Sequence, residues 1–223
     1  MIVAPLIRRT QIMMERRAAD RQVARHIRTR PARIRVCWDL DNTLVASGEL
    51  LQAGKRLDEA IVDAEPMPNM LEFISELRAR LPDAEHIIVS ARRRSMREAT
   101  SVWLTRYSVP TESGSVCLVP DAGAKSQVWR ELARDSALVV IDDLRYNHEG
   151  KTLGVYDDLV EAARGLASVY VGYAEIAEIV SDPSAAARIA AWAADCITRA
   201  HPRNRCAARG EQSLTHESRG FVR

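Results

Sequence analysis

Five short apolar runs, at 34–38, 86–89, 115–119, 137–141 and 168–171, constrain this chain more than any other feature. Uninterrupted runs of this length suit strands buried on both faces. Segments of helical periodicity separate them, and alternation of that kind predicts a parallel sheet covered by helices on either side. The expected fold is therefore α/β, a doubly wound parallel sheet of about five strands. Met67, Met70, Leu71, Ile74, Leu77 and Leu81 recur at helical spacing until Pro82 stops them. Ser95 and Glu98 have the spacing of a capping box, opening a helix that carries Ala99, Val102, Trp103 and Tyr107. Val128, Trp129, Leu132 and Ala133 share one face of another helix, and a further helix is expected at about 156–166. Pro183 opens a last one with Ile189, Trp192, Ala193, Cys196 and Ile197. Residues 45–66 form a longer connection with a helix expected near 49–64.

The chain divides by charge. Residues 1–35 hold ten arginines against Glu15 and Asp20, and residues 199–223 hold six against Glu211 and Glu217. With a total of +2, the segment between carries −10 against +8 and +4 at the ends. The expected organisation is a basic N-terminal arm over 1–33, a globular domain over 34–199 and a disordered basic tail over 200–223. Ala19, Val23 and Ile27 lie four residues apart, so the arm is expected to be helical. It reads either as a nucleic-acid arm, neutralising phosphates, or as the solvated flank of an acidic body. The flank is the simpler expectation, and the closely following Met13 and Met14 also allow a later start. The 223 residues begin with no signal-peptide pattern and hold no run long enough to span a bilayer. Cys37, Cys117, Cys196 and Cys206 match no zinc or redox spacing. These features predict a cytoplasmic protein with free thiols and no membrane partner.

Polar residues collect where the predicted strands end. The first strand runs into Asp39-Leu40-Asp41-Asn42-Thr43 and the second into Ser90-Ala91-Arg92. The fourth runs into Asp142-Asp143, with Asn147 shortly after, and Lys125 opens the helix before it. Ligands of such sheets bind at the carboxyl ends of the strands. Asp39, Asp142 and Asp143 gathered at one edge would repel one another without a hard divalent cation, and oxygen-only ligands favour Mg²⁺. Lysine is scarce here, only Lys55, Lys125 and Lys151. A lysine in a helix's first turn opposes the helix dipole, which makes sense where an anion sits beside it. The chemistry suggested is phosphoryl transfer. Asp39 attacks phosphorus, Asp41 acts as acid and base, and Ser90 with Lys125 holds the phosphate oxygens.

The segments WDLDNTLV, IIVSAR, AKSQVW and VVIDDLRYN resemble, in order, the four motifs of the haloacid dehalogenase-like superfamily. The resemblance covers roughly residues 34–172. It implies Asp39 as nucleophile and metal ligand, and Asp41 as general acid/base that also offers its backbone carbonyl to Mg²⁺. It implies Thr43, Ser90, Arg92 and Lys125 on the phosphate side, with Thr43 supporting the first loop and Arg92 reaching the substrate. It implies Asp143 completing the metal site, with Asp142 and Asn147 in the outer shell, and leaves open which of the paired aspartates touches the metal directly. The motif style is similar to that of polynucleotide 3′-phosphatase domains and deoxyribonucleotidases. The slots in which that superfamily inserts cap domains are short here, so the expected cap is minimal and a neighbouring subunit is permitted as a lid. The leading expectation is a Mg²⁺-dependent phosphatase acting on a nucleotide or small phosphorylated metabolite. A nucleic-acid end phosphatase using the arginine-rich arms is the second. A phosphotransferase or mutase, or a non-catalytic binding protein on the same fold, completes the alternatives.

Overall fold

The computed structural model describes residues 3–48, 60–110, 115–144, 146–147, 152–153 and 156–200. Its strands are β1 (Ile34–Trp38), β2 (Glu85–Ser90), β3 (Val116–Leu118), β4 (Ala137–Ile141), β5 (Tyr146–Asn147), β6 (Thr152–Leu153) and β7 (Val169–Val171). Its helices are α1 (Val3–Thr29), α2 (Met70–Arg80), α3 (Arg97–Arg106), α4 (Lys125–Leu132), α5 (Asp157–Leu166), α6 (Tyr173–Ser181) and α7 (Pro183–Ala200). The five runs read from the sequence become one all-parallel sheet in the order β3-β2-β1-β4-β7. The doubly wound α/β fold is what the apolar runs predicted. Winding goes outward from β1 through β2 to β3, then resumes on β1's other side with β4. The switch point therefore lies between β1 and β4.

Period-two alternation explains how a largely apolar strand serves two layers. Ile34, Val36, Trp38, Val139 and Ile141 face the core shared with α2, α3, α6 and α7. Cys37, Ile87, Val89, Leu138 and Val140 face the opposite core, shared with α1, α4 and α5. Arg35 is the polar exception, buried on this second face. It donates to Glu85 Oε2 (3.0 Å), to the Arg30 carbonyl (2.9 Å) and to Ser136 Oγ (2.6 Å).

The arm is not a solvated flank. Ala19, Val23 and His26 of α1 are buried against the second face. His26 Nε2 lies 2.8 Å from Glu85 Oε1, and Gln22 donates to the Val116 carbonyl at 2.7 Å. The apolar spacing Ala19-Val23-Ile27 is a core seam, and Arg16, Arg17, Arg21 and Arg25 are exposed on the helix.

Other expectations shift locally. Ser95 does not cap α3: it sits inside a 3-10 turn, Arg94–Met96, and the helix begins at Arg97 with no side-chain cap. Val102 and Trp192 were expected on apolar faces and are exposed. α6 and the β5–β6 hairpin answer to no sequence expectation. The helix expected near 49–64 falls mostly outside the described residues, which show a 3-10 turn at Ile61–Asp63. The tail beyond 200 also lies outside them. No helix among the described residues is long and apolar enough to cross a membrane.

One part-buried pair gives a pH prediction. Trp38 Nε1 donates to His86 Nδ1 at 2.9 Å, and the two rings stack. Burial, with the Arg78 charge nearby, pushes His86 down from 6.5 to about 4. The unfolded chain therefore binds a proton over this interval that the folded chain refuses. The stabilisation is fully present above pH 6.5 and is lost as pH falls towards 4. His86→Gln keeps an acceptor for Trp38 and cannot titrate, so its denaturant midpoint should fall less steeply across that window. An unchanged slope would remove His86 as the cause.

Candidate active site

Asp39 follows β1 directly, and its N–H donates to the Ile141 carbonyl of β4 at 2.9 Å. That bond places it on the switch point. The chain then turns sharply, and the Leu40 carbonyl accepts from Thr43, Leu44 and Val45 N–H. Asn42 takes a left-handed conformation, φ 59°, which asparagine tolerates better than most residues. Its Oδ1 accepts from Gly48 N–H at 2.7 Å, tying the turn to the outgoing chain. Thr43 is fully buried, and its hydroxyl accepts from Asp143 N–H at 3.3 Å. This residue braces the first loop against the end of β4.

Four charged groups meet around Lys125, the first residue of α4. Its ammonium lies 2.9 Å from Asp39 Oδ1 and 2.7 Å from Asp142 Oδ2, with all three side chains buried. Asp143 joins them: Asp39, Asp142 and Asp143 each offer a carboxylate oxygen, and these lie within 4.8 Å of one another. Burial pushes the Asp39 carboxyl above the ordinary carboxylate range, and Asp143 and Asp41 add to the rise while Lys125 opposes it. Asp142 is pushed well up by burial and by the Asp39 charge, again with Lys125 opposing. Burial favours the neutral form of Lys125, but Asp142 and Asp39 overcome that and hold the ammonium charged far above its usual range.

Three carboxylates against one ammonium leave a deficit of two positive charges when all are ionised. The oxygen-only donor set and that deficit fit a hard divalent cation such as Mg²⁺. Asp142 Oδ1 is buried without a hydrogen-bond partner among the described residues. A buried acceptor of this kind is costly unless something satisfies it. A cation between the three aspartates would do so.

Ser90 ends β2 beside β1. It is fully buried, and its hydroxyl has no hydrogen-bond partner among the described residues. It is the one expected phosphate ligand whose polar atom is left unengaged.

Arg92 does not reach outward as the resemblance implied. It is buried and bidentate on Asp41, Nε to Oδ2 and Nη2 to Oδ1, both at 2.8 Å. Nη1 donates to Thr100 Oγ1 of α3 at 3.2 Å, fixing the guanidinium from behind. Burial works to raise the Asp41 carboxyl, but the Arg92 charge and its hydrogen bonds prevail and hold it below the usual range. Asp41 keeps 26% of its side chain exposed, whereas the Asp39 and Asp142 side chains are 4% and 2% exposed. Asp41 is therefore the carboxylate facing the open side. Its side chain stands outside the three-aspartate cluster, so only its backbone carbonyl is left for the metal role the resemblance implied. The Asn147 backbone belongs to β5, and its side chain lies outside the described residues.

Sequence reasoning missed Tyr170, whose hydroxyl donates to the Asp142 carbonyl at 3.0 Å from the neighbouring strand β7. Nothing in the sequence distinguishes this tyrosine from any other strand residue. Only the order β4-β7 brings it there. No cap domain separates β3 from Lys125: residues 119–124 suffice, including a 3-10 turn at Ala122–Ala124 capped by Asp121. After β1 the chain leaves and returns as a narrow pair, with Val45 bridged to Pro66. Compared with known proteins, the chain matches no family model and no curated protein.

Proposed function

We propose that this protein hydrolyses phosphate monoesters through an aspartyl-phosphate on Asp39, with Mg²⁺ held by Asp39, Asp142 and Asp143. The observation carrying this reading is the Lys125 ammonium shared between Asp39 and Asp142 at a sheet switch point, with the unengaged Ser90 hydroxyl ending the adjacent strand. Bound Mg²⁺ would neutralise the non-bridging oxygens of the substrate phosphate and the aspartates around them.

The chain's own residues divide the remaining work. Ser90 donates its hydroxyl to a phosphate oxygen, and Lys125 places positive charge beside it at the start of α4. In the first step an Asp39 oxygen forms a bond to phosphorus as the phosphorus–ester oxygen bond breaks. The departing oxygen takes a proton from Asp41. In the second step water attacks phosphorus and gives a proton back to Asp41. The phosphorus–Asp39 bond then breaks, releasing phosphate. Arg92 keeps Asp41 ionised, which suits the second step directly. For the first step Asp41 must bind a proton against that pairing, so poor leaving groups depend on it most.

Asp41→Asn should therefore slow phosphoenzyme formation by about 10²–10⁴-fold for alkyl phosphates. Aryl phosphates with good leaving groups should lose much less. Stopped-flow release of the leaving group measures that step alone, and equal losses for both classes would count against the role. The reading as a whole is tested by assaying phosphorylated metabolites, mononucleotides and end-phosphorylated oligonucleotides with and without Mg²⁺. Mg²⁺-dependent phosphate release supports it. Binding without turnover across the panel would favour a non-catalytic protein on this fold.

A further inference from the structure

A run of exposed arginines lies along one flank of the site. α1 runs antiparallel to the sheet. His26 meets Glu85 at the start of β2, Gln22 meets Val116 on β3, and Arg16 meets Asp121 beyond the carboxyl end of β3. The helix continues to Val3, about 20 Å beyond Arg16 at a rise of ~1.5 Å per residue. Its N-terminal half therefore projects past the same sheet edge that carries Asp39.

Arg16 joins α1 to the site itself. Its guanidinium donates to both Asp121 oxygens at 2.9 Å, and Asp121 Oδ1 accepts from Ala124 N–H at 3.0 Å, the residue before Lys125. Arg17, Arg21 and Arg25 follow at i,i+4 spacing on the exposed side of α1, with no carboxylate within ion-pair distance among the described residues. On the β2–α3 loop, just after Ser90 and Arg92, Arg93 and Arg94 are exposed at the same edge. The segment 36–198 carries −10, so these guanidinium groups stand as a basic flank on an acidic body. A small phosphorylated metabolite would touch none of α1. A flexible polyanion would need both the flank and the short, uncapped connection between β3 and Lys125.

We infer that α1 and the β2–α3 loop form a track for single-stranded nucleic acid, which delivers a terminal phosphate to Asp39. This rests on the phosphatase reading above for its final clause, while the track itself stands on placement and charge. Nucleic-acid affinity of this type comes from neutralised phosphates and is independent of sequence. Arginine stripes along a helix serve it well, since guanidinium groups pair with phosphate in a planar, two-pronged manner.

Deletion of α1 would uncover the core, so the test uses the full chain. The variants are Arg17→Ala/Arg21→Ala/Arg25→Ala and, separately, Arg93→Ala/Arg94→Ala. Binding of a labelled, non-phosphorylated oligonucleotide is read by fluorescence anisotropy across salt concentrations. Turnover is compared between an end-phosphorylated oligonucleotide and a mononucleotide. The wild type should bind with a steep salt dependence. The triple variant should lower the slope of log affinity on log salt by about 2, at ~0.7 per phosphate contact. It should weaken oligonucleotide binding at least tenfold at low salt, leave mononucleotide kcat/KM unchanged and lower oligonucleotide kcat/KM in step. Equal affinities and slopes in wild type and both variants would overturn the track. Salt-dependent binding that the variants abolish, with no turnover of either phosphate, would support the track and sink the phosphatase reading separately.

Discussion

Replacing Asp39 by asparagine should remove turnover by at least about a thousandfold, the scale on which loss of a covalent nucleophile acts. Asparagine keeps the shape of the side chain and cannot form the bond to phosphorus. The fold should survive the change. Burial already disfavours charge on Asp39, so a neutral group there relieves repulsion from Asp143 and Asp41 while Lys125 keeps its contact with Asp142. The thermal midpoint should therefore be equal to or above that of the wild type. Calorimetry and a phosphate-release assay on one preparation check both halves. More than a few percent of residual activity would rule out the covalent route.

Removing Lys125 should have the opposite balance, with a large loss of stability. Lys125→Met leaves Asp39 and Asp142 buried at one another's side without the ammonium that bridges them. Stripping one partner from a buried ionic cluster typically costs about 3–5 kcal/mol. Adding Asp142→Asn to Lys125→Met should restore part of that loss, because a neutral amide no longer needs the ammonium. The double-variant cycle should then show strong coupling, as expected for groups in direct contact. Additive losses would mean that Lys125 contributes packing alone.

The same lysine shows where sequence reading stops. In the sequence it is a cation misplaced against a helix dipole, and removing it looks slightly stabilising. Burial between two carboxylates reverses that sign, and no local pattern carries it, because Asp39 and Asp142 arrive from strands far apart in the chain. The strands themselves were legible, since an unbroken apolar run has few other uses. Asp39, Asp142 and Asp143 were legible as well, because Asp39 and Asp142 each follow such a run directly and Asp143 comes next. The Arg92–Asp41 pair was not. Arg92 lies two residues beyond its strand, where a side chain can turn inward or outward, and Thr100 on α3 settles the direction. The arm was misjudged for a similar reason. Three apolar residues among many arginines suggest a solvated helix until Glu85, Val116 and Asp121 supply partners from the sheet. The β5–β6 hairpin has two residues in each strand, too few for local propensity to decide.

The covalent step on Asp39 is the centre of this account, and trapping it is the most direct measurement. The enzyme is mixed with an aryl phosphate and Mg²⁺, quenched in acid during turnover and reduced with borohydride, which converts an acyl phosphate to homoserine. Peptide mapping by mass spectrometry then locates the modified residue. The account predicts homoserine at position 39, substrate-dependent and absent from Asp39→Asn. Turnover without any trapped acyl phosphate, or modification at Asp41, Asp142 or Asp143 instead, would contradict it.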